Sequence, residues 1–257
     1  MDEELLASGN MEPVVRVGDT VRRVAGPWTP AVQELLAAIR AKGVTGGVPR
    51  PLGLDERGRE MLGFLPGTVL DAVEPGVRFA PAVLDRAAAL LRRMHDASVG
   101  LATAEREWRS PAHEPREVVC HNDFAPYNLL LLDGETDEAA GAEAHGALGA
   151  IDFDFASPGP RLWDLAYLAY RLVPFAEDAD GYEPARDGER RDRARRLLAA
   201  YGHEAGVDEL RAAAAARLDE LAAFTEERAA STGRAELDAH AAMYRRDAEL
   251  LRRLDAR

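Results

Sequence analysis

Lysine is all but missing from this chain. Lys42 stands alone among 32 basic residues, and the other thirty-one are arginines. Any basic group that must hold an anion in place of Lys42 is therefore a planar guanidinium rather than a compact ammonium. Cysteine is as scarce: Cys120 by itself excludes an intrachain disulfide, and its place at the end of an apolar stretch fits a small core residue. No run of about eighteen apolar residues occurs, and Met1-Asp2-Glu3-Glu4 is acidic where a secretory leader is basic. A soluble, cytoplasmic protein with no membrane partner is expected. There is no G-x-x-x-x-G-K-[ST] phosphate loop and no zinc-ligand spacing. The formal charge of −13 disfavours nucleic acid as a partner and permits a cationic small molecule.

What is present centres on His121-Asn122-Asp123-Phe124-Ala125-Pro126-Tyr127-Asn128. Val118-Val119-Cys120 leads in and Leu129-Leu130-Leu131-Leu132 leads out, so two short buried strands should flank a polar loop that Pro126 stiffens. A second apolar stretch, Leu148-Gly149-Ala150-Ile151, ends in Asp152-Phe153-Asp154. One carboxylate to orient a hydroxyl and two oxygen ligands for Mg²⁺ are what phosphoryl transfer requires, and Asp123, Asn128 and Asp152 can supply them.

HNDFAPYN followed by IDFDFASPGPRLWDLA resembles the aminoglycoside phosphotransferase and choline kinase family, the small-molecule branch of the protein-kinase-like fold. The family pattern H-x-D-x-x-x-x-N, then I-D-[FW]-[DE], then a Gly and D-L-A, is met at every position and in order. The resemblance covers most of the chain and weakens from about Phe175 onward. It implies an α+β fold of two lobes: a small antiparallel-sheet lobe over residues 1–65 and a larger, mostly helical lobe over 66–257. It implies Asp123 as catalytic base, Asn128 and Asp152 as metal ligands, ATP or GTP as donor, and a small hydroxylated acceptor. His121 and Asp164 would support the loop, and Asp154 is either a further metal ligand or a neighbour that orients one.

The remaining expectations follow the chain. Glu3–Ala7, Pro13–Val17 and Thr20–Val24 read as strands, the last two joined by Gly18-Asp19. Ser8-Gly9 is by itself a β-turn; by resemblance it covers the nucleotide phosphates. The family carries a basic residue on the third strand, usually Lys. Lys42 lies in a turn after a helix, so Arg22 and Arg23 are the candidates, and strand alternation puts Arg23 with Val21 on the nucleotide face. Thr29-Pro30 should cap a helix with Val32, Leu35, Leu36 and Ile39 as its buried stripe. Glu34 on that helix is either Arg23's partner or a surface glutamate. Glu60–Leu65 reads as a strand, with the main chain of Gly63, Phe64 and Leu65 toward the base. Ser157–Pro160 reads as a turn. A helix is expected over 81–97, another over Trp163–Leu172, and three more over about 190–202, 207–230 and 235–255. The loop 133–147, with five acids and no base, reads as a solvated insertion. The acidic stretch 177–189 offers Asp178, Asp180, Tyr182 and Glu183 toward an acceptor.

The expected activity is transfer of a γ-phosphate to an aminoglycoside or other antibiotic. Choline, an amino sugar or a metabolite alcohol is the alternative acceptor. The competing class is a nucleotide-binding module of the same fold without turnover, which the lost lysine favours and the intact Asp123, Asn128 and Asp152 oppose.

Overall fold

The computed structural model describes residues 3–7, 13–133, 146–175 and 183–255. They group into two compact units, one of Met1–Arg78 with Ala89–Arg161 and one of Phe79–Ala88 with Leu162–Arg257. All the strands among the described residues lie in the first unit. Strands β1 (Glu4–Ala7), β2 (Val14–Val17), β3 (Thr20–Arg23), β4 (Pro51–Leu54) and β5 (Glu60–Gly63) form an antiparallel sheet in the order β1-β2-β3-β5-β4. The β2–β3 turn uses Gly18 at φ 60°, a left-handed backbone that glycine adopts without a Cβ penalty. Helix α1 (Thr29–Ala41) buries Val32, Leu35, Leu36 and Ile39, each at most 1% exposed. Each such burial is worth about 1.5–3 kcal/mol. The stripe is as expected, but Thr29 is not the cap: its Oγ1 accepts the Gly26 amide, and Trp28 stands at the helix start without a side-chain cap.

The polar loop is framed by two further ladders. Strands β6 (Gly67–Val69), β8 (Leu129–Leu132) and β9 (Leu148–Ala150) pair antiparallel. This ladder ties residues just past Leu65 to the loop strands. The stretch read as a turn, Ser157–Gly159, is instead strand β10, paired with β7 (Val118–Cys120). Proline is tolerated there because the partner residue makes its bond elsewhere: Pro158 faces Val119, whose amide donates to Ser98 Oγ. Short β4 and β6 were also missed by periodicity, being too brief to show a period.

Helix α2 (Pro75–Arg78) closes the first segment of this unit, and α3 (Pro81–Ala102) buries Val83, Leu84, Ala87, Leu90, Leu91 and Met94 as expected. The second unit is helical, with α4 (Arg161–Leu172, its first residue in the other unit), α5 (Asp187–Tyr201), α6 (Val207–Thr232) and α7 (Glu236–Asp255). Leu165, Leu168, Tyr170, Leu197, Leu210, Leu218 and Leu251 are buried there, while Trp163 is only half-buried. No helix among the described residues is long and apolar enough to cross a membrane.

The close β6–β8 approach yields a prediction. A Cβ on Gly67 would lie 2.6 Å from the Leu131 carbonyl oxygen, whereas one on Gly76 meets nothing within 4 Å. Gly67→Ala should cost roughly 1–3 kcal/mol and lower the thermal midpoint by several degrees. Gly76→Ala should stay within about 0.5 kcal/mol. Equal midpoints for the two variants would contradict the pairing.

Candidate active site

The loop is held by its own side chains. His121 sits between two neighbours: its Nε2 donates to the Ile151 carbonyl at 3.0 Å, and its Nδ1 accepts the Asp123 amide at 3.2 Å. Those partners assign the neutral Nε2–H tautomer, since a proton on Nδ1 would face the Asp123 N–H. The ring also packs on Phe153, 4.6 Å between centroids. His121 thus links the loop to the Asp152 strand end by its two ring nitrogens. Next to it Asn122 adopts φ 63°, and its amide donates to the Phe155 carbonyl at 2.8 Å and to Ser157 Oγ at 2.7 Å.

Asp123 receives a donor on each oxygen. Tyr127 donates its hydroxyl to Oδ1, and Asn128 Nδ2 donates to Oδ2 at 2.9 Å and to the Asp123 carbonyl at 3.0 Å. Spending its NH₂ on Asp123 leaves the Asn128 Oδ1 turned the other way. The Asn128 carbonyl accepts the Ile151 amide at 3.0 Å, which places Asn128 beside the strand end that carries Asp152. Asp152 has φ 61°, with its side chain 41% exposed. Asn122 and Asp152 are the two described residues other than glycine with positive φ. Asn and Asp tolerate that region best among L-residues, and strain of this kind collects at working sites.

Arg23 meets the loop from β3. Its Nε donates to Glu60 Oε2 at 2.6 Å and its Nη1 to Asp152 Oδ1 at 3.0 Å. Its Nη2 lies 2.6 Å from Asp154 Oδ1, an ion pair by distance that is poorly aligned as a hydrogen bond. Asp154 is held from its other side by Arg109 Nη1 at 3.2 Å, and that guanidinium lies over the rings of Trp28 and Phe155. Burial pulls the Arg23 pKa down, but Asp154, Glu60 and Asp152 outweigh it and hold the group above its ordinary value. Burial raises Asp154 above the usual carboxylate range, against the pull of Arg23 and Arg109. Within this cluster Asp152, Asp154 and Glu60 face Arg23 and Arg109, so carboxylates outnumber guanidiniums by one, while Asp123 bonds to Tyr127 and Asn128.

Several expectations change here. Glu34 is not Arg23's partner; it is half exposed and clamps Arg106 at 2.6 Å. The helix turn points it away, and the acid beside Arg23 is Glu60, fully buried on β5. Gln33, the neighbour of Glu34, is the α1 residue that reaches inward: its Nε2 donates to Glu60 Oε1 at 2.7 Å. Arg22 lies on the opposite face, 3.7 Å from Asp55. The amides of Gly63 and Phe64 are spent on Arg50 and Asp19 carbonyls, so a base edge could meet only carbonyls or the Leu65 amide there. Asp164 is fully buried in the first turn of α4. Glu183 is exposed, its carboxylate 3.7 Å from Arg186. Ser8, Gly9, Asp178, Asp180 and Tyr182 lie outside the described residues. Glu60, Gln33, Arg109 and Tyr127 had no role in the sequence reading. Only Glu60 had a signal, an acid at the head of an apolar strand, and it becomes legible once β3 is paired with β5.

His121→Ala should cost roughly 1–3 kcal/mol, because the part-buried Ile151 carbonyl and Asp123 amide lose their partner. A denaturation midpoint equal to that of the native chain would show that the ring is no strut.

The profile of the phosphotransferase enzyme family matches residues 100–215, which contain the polar loop and the Asp152 strand end. The trifolitoxin immunity protein of Rhizobium leguminosarum bv. trifolii is 30% identical over 184 residues, covering 69% of this chain and 64% of that protein. The chain thus spans under two thirds of that relative's length. Among solved structures, an amicoumacin kinase in complex with AMP-PNP and Ca²⁺ superposes with a TM-score of 0.67 at 14% identity, covering 98% of this chain and 88% of that one. An ethanolamine kinase of Plasmodium vivax gives 0.65 at 11%, covering 96% and 82%. A spectinomycin phosphotransferase in complex with ADP and spectinomycin gives 0.63 at 10%, covering 97% and 92%. Likeness at these identities establishes a protein-kinase-like α+β fold. With the loop and strand-end residues inside the matched stretch, the chain is similar over residues 100–215 to the phosphotransferase enzyme family.

Proposed function

We propose that this chain moves the terminal phosphoryl group of a nucleoside triphosphate onto a hydroxyl of a small molecule. The observation that carries this reading is the bonded series Asp123–Asn128–Ile151–Asp152, which brings one base candidate and two hard oxygen donors to one place. Such a reaction is mainly positioning and charge neutralisation.

Asp123 is the base. Its carboxylate, oriented by Tyr127 and Asn128, receives the acceptor hydroxyl and takes its proton as the acceptor O–P bond forms and the bond to the leaving nucleoside diphosphate breaks. The Asn128 Oδ1 and the Asp152 carboxylate fit Mg²⁺, a hard cation that prefers oxygen donors, and the excess of carboxylates over guanidiniums around Asp152 favours a cation. When bound, the ion would neutralise phosphate charge. Arg23 would add its permanent charge on the phosphate side, since its Nη1 already stands beside Asp152. A phosphate oxygen would have to compete with carboxylates for the fork.

The acceptor we favour is an antibiotic or toxin of small size, supported by a relative named for immunity to a toxin and by structural neighbours that are antibiotic kinases. Choline or ethanolamine is the second reading, supported by neighbours of that name and by the chain's −13 charge, which suits a cationic alcohol. Nucleotide supply makes the cytoplasm the place of action.

Two variants test the roles, once a panel of antibiotics and amino alcohols has been screened for acceptor-stimulated nucleoside diphosphate release. Asp123→Asn should cut kcat by about 10²–10⁴-fold while the nucleotide Kd stays within about threefold. Near-native turnover in that variant would sink the base assignment. Asp152→Ala should abolish turnover and make nucleotide affinity indifferent to Mg²⁺. A mutant that still responds to Mg²⁺ as the native chain does would remove Asp152 from the metal site.

A further inference from the structure

We infer that Glu60 and Gln33 are the positioning residues for Arg23, and that helix α1 acts on the site through the uncharged amide of Gln33. The inference rests on the phosphotransfer reading and adds residues that neither the motif nor the family match singles out.

Arg23 and Glu60 are direct register partners across β3 and β5. In an antiparallel pair, opposed side chains share a face, so sheet formation alone brings acid and base together. The contact uses Nε of Arg23, the one nitrogen inside the side-chain bend. Fixing Nε sets the plane of the guanidinium, and the fork then has one direction left, with Nη1 to Asp152 and Nη2 to Asp154. Glu60 is itself fully buried and cannot be left half-satisfied. Its second oxygen is met by Gln33 Nε2 at 2.7 Å, and Gln33 in turn accepts the Gly53 amide at 3.0 Å. One side chain of α1 therefore touches β4 and β5 and reaches the reacting groups only through Glu60.

The alternative is that Glu60 merely balances Arg23's charge. The two roles separate when the acid is exchanged with its neighbour. In Glu60→Gln alone, the Gln33 amide and the new amide face each other donor to donor. In the double variant Gln33→Glu/Glu60→Gln, the chain of hydrogen bonds can re-form with the acid one residue further from Arg23.

The experiment measures the Arg23 Nε–H resonance by ¹⁵N NMR on ligand-free protein, assigned by its loss in Arg23→Lys, together with kcat and the Mg²⁺–nucleotide KM. Glu60→Gln should shift or broaden the resonance and lower kcat about 100-fold, the scale of an ångström-sized misplacement. Gln33→Leu should do the same about tenfold more weakly, with acceptor KM unchanged. The exchanged pair should restore the resonance and bring kcat back to within about fivefold of the native chain. Glu34→Ala should move neither readout. An unmoved resonance in Glu60→Gln, or an exchanged pair that stays as slow as the single variant, overturns the inference. If the resonance responds as expected and the native chain neither binds nucleotide nor transfers phosphate, it is the phosphotransfer reading that fails.

Discussion

A guanidinium taken out of water and surrounded by three carboxylates is the interaction on which the rest of the site depends. Arg23 is 9% exposed, and each of its nitrogens lies within 3.0 Å of an acid. Removing an ion this buried from water costs several kcal/mol, and only close, well-satisfied partners offset that. The partners come from three places in the chain: β5, the end of the β9 strand, and the residues just beyond it. Sheet register, the β8–β9 ladder and the left-handed turn at Asp152 must all be in place before the charge is compensated. The ion cluster is thus a product of the fold, and it reports on whether the fold is complete.

The polar loop obeys a second constraint, that of buried main-chain groups. Asn122 and Asp152 bend the backbone where no regular ladder can continue, and each bend frees amides and carbonyls that need partners. His121 meets two of these groups and Asn122 a third, while Asn128 links the two segments through its own carbonyl. The side chains next to the Asp123 carboxylate therefore serve first as substitutes for secondary structure. Their chemistry is a consequence of the position they hold.

Much of this was legible in the sequence, for identifiable reasons. The stripe of α1 follows from Val32, Leu35, Leu36 and Ile39 alone, because burial on a helix repeats every three to four residues. The choice of Arg23 over Arg22 follows from strand alternation, and the two side chains do lie on opposite faces, with Arg22 next to Asp55. Glu34 failed for the complementary reason. One residue of helix is about 100° of rotation, and the inward position belongs to Gln33. Glu60 could not be singled out because its role depends on a pairing between strands 37 residues apart, which no local pattern records. Likewise Pro158 reads as a turn until the bond from Val119 to Ser98 explains how a ladder can run past it.

The arginine on β3 has one more consequence, which lies in reactivity. A lysine there would be a latent nucleophile: once its proton is shed, the amine can attack acyl phosphates, aldehydes or activated esters delivered on a nucleotide. A guanidinium does not shed its proton in the range where proteins stay folded, and the carboxylates around Arg23 hold that proton more firmly still. With Lys42 exposed beyond the end of α1 as the sole amine-bearing side chain, covalent nucleotide probes aimed at lysine would find nothing to mark in this site. A survey of nucleotide-binding proteins built on such labelling would pass this chain over, however well it bound the probe.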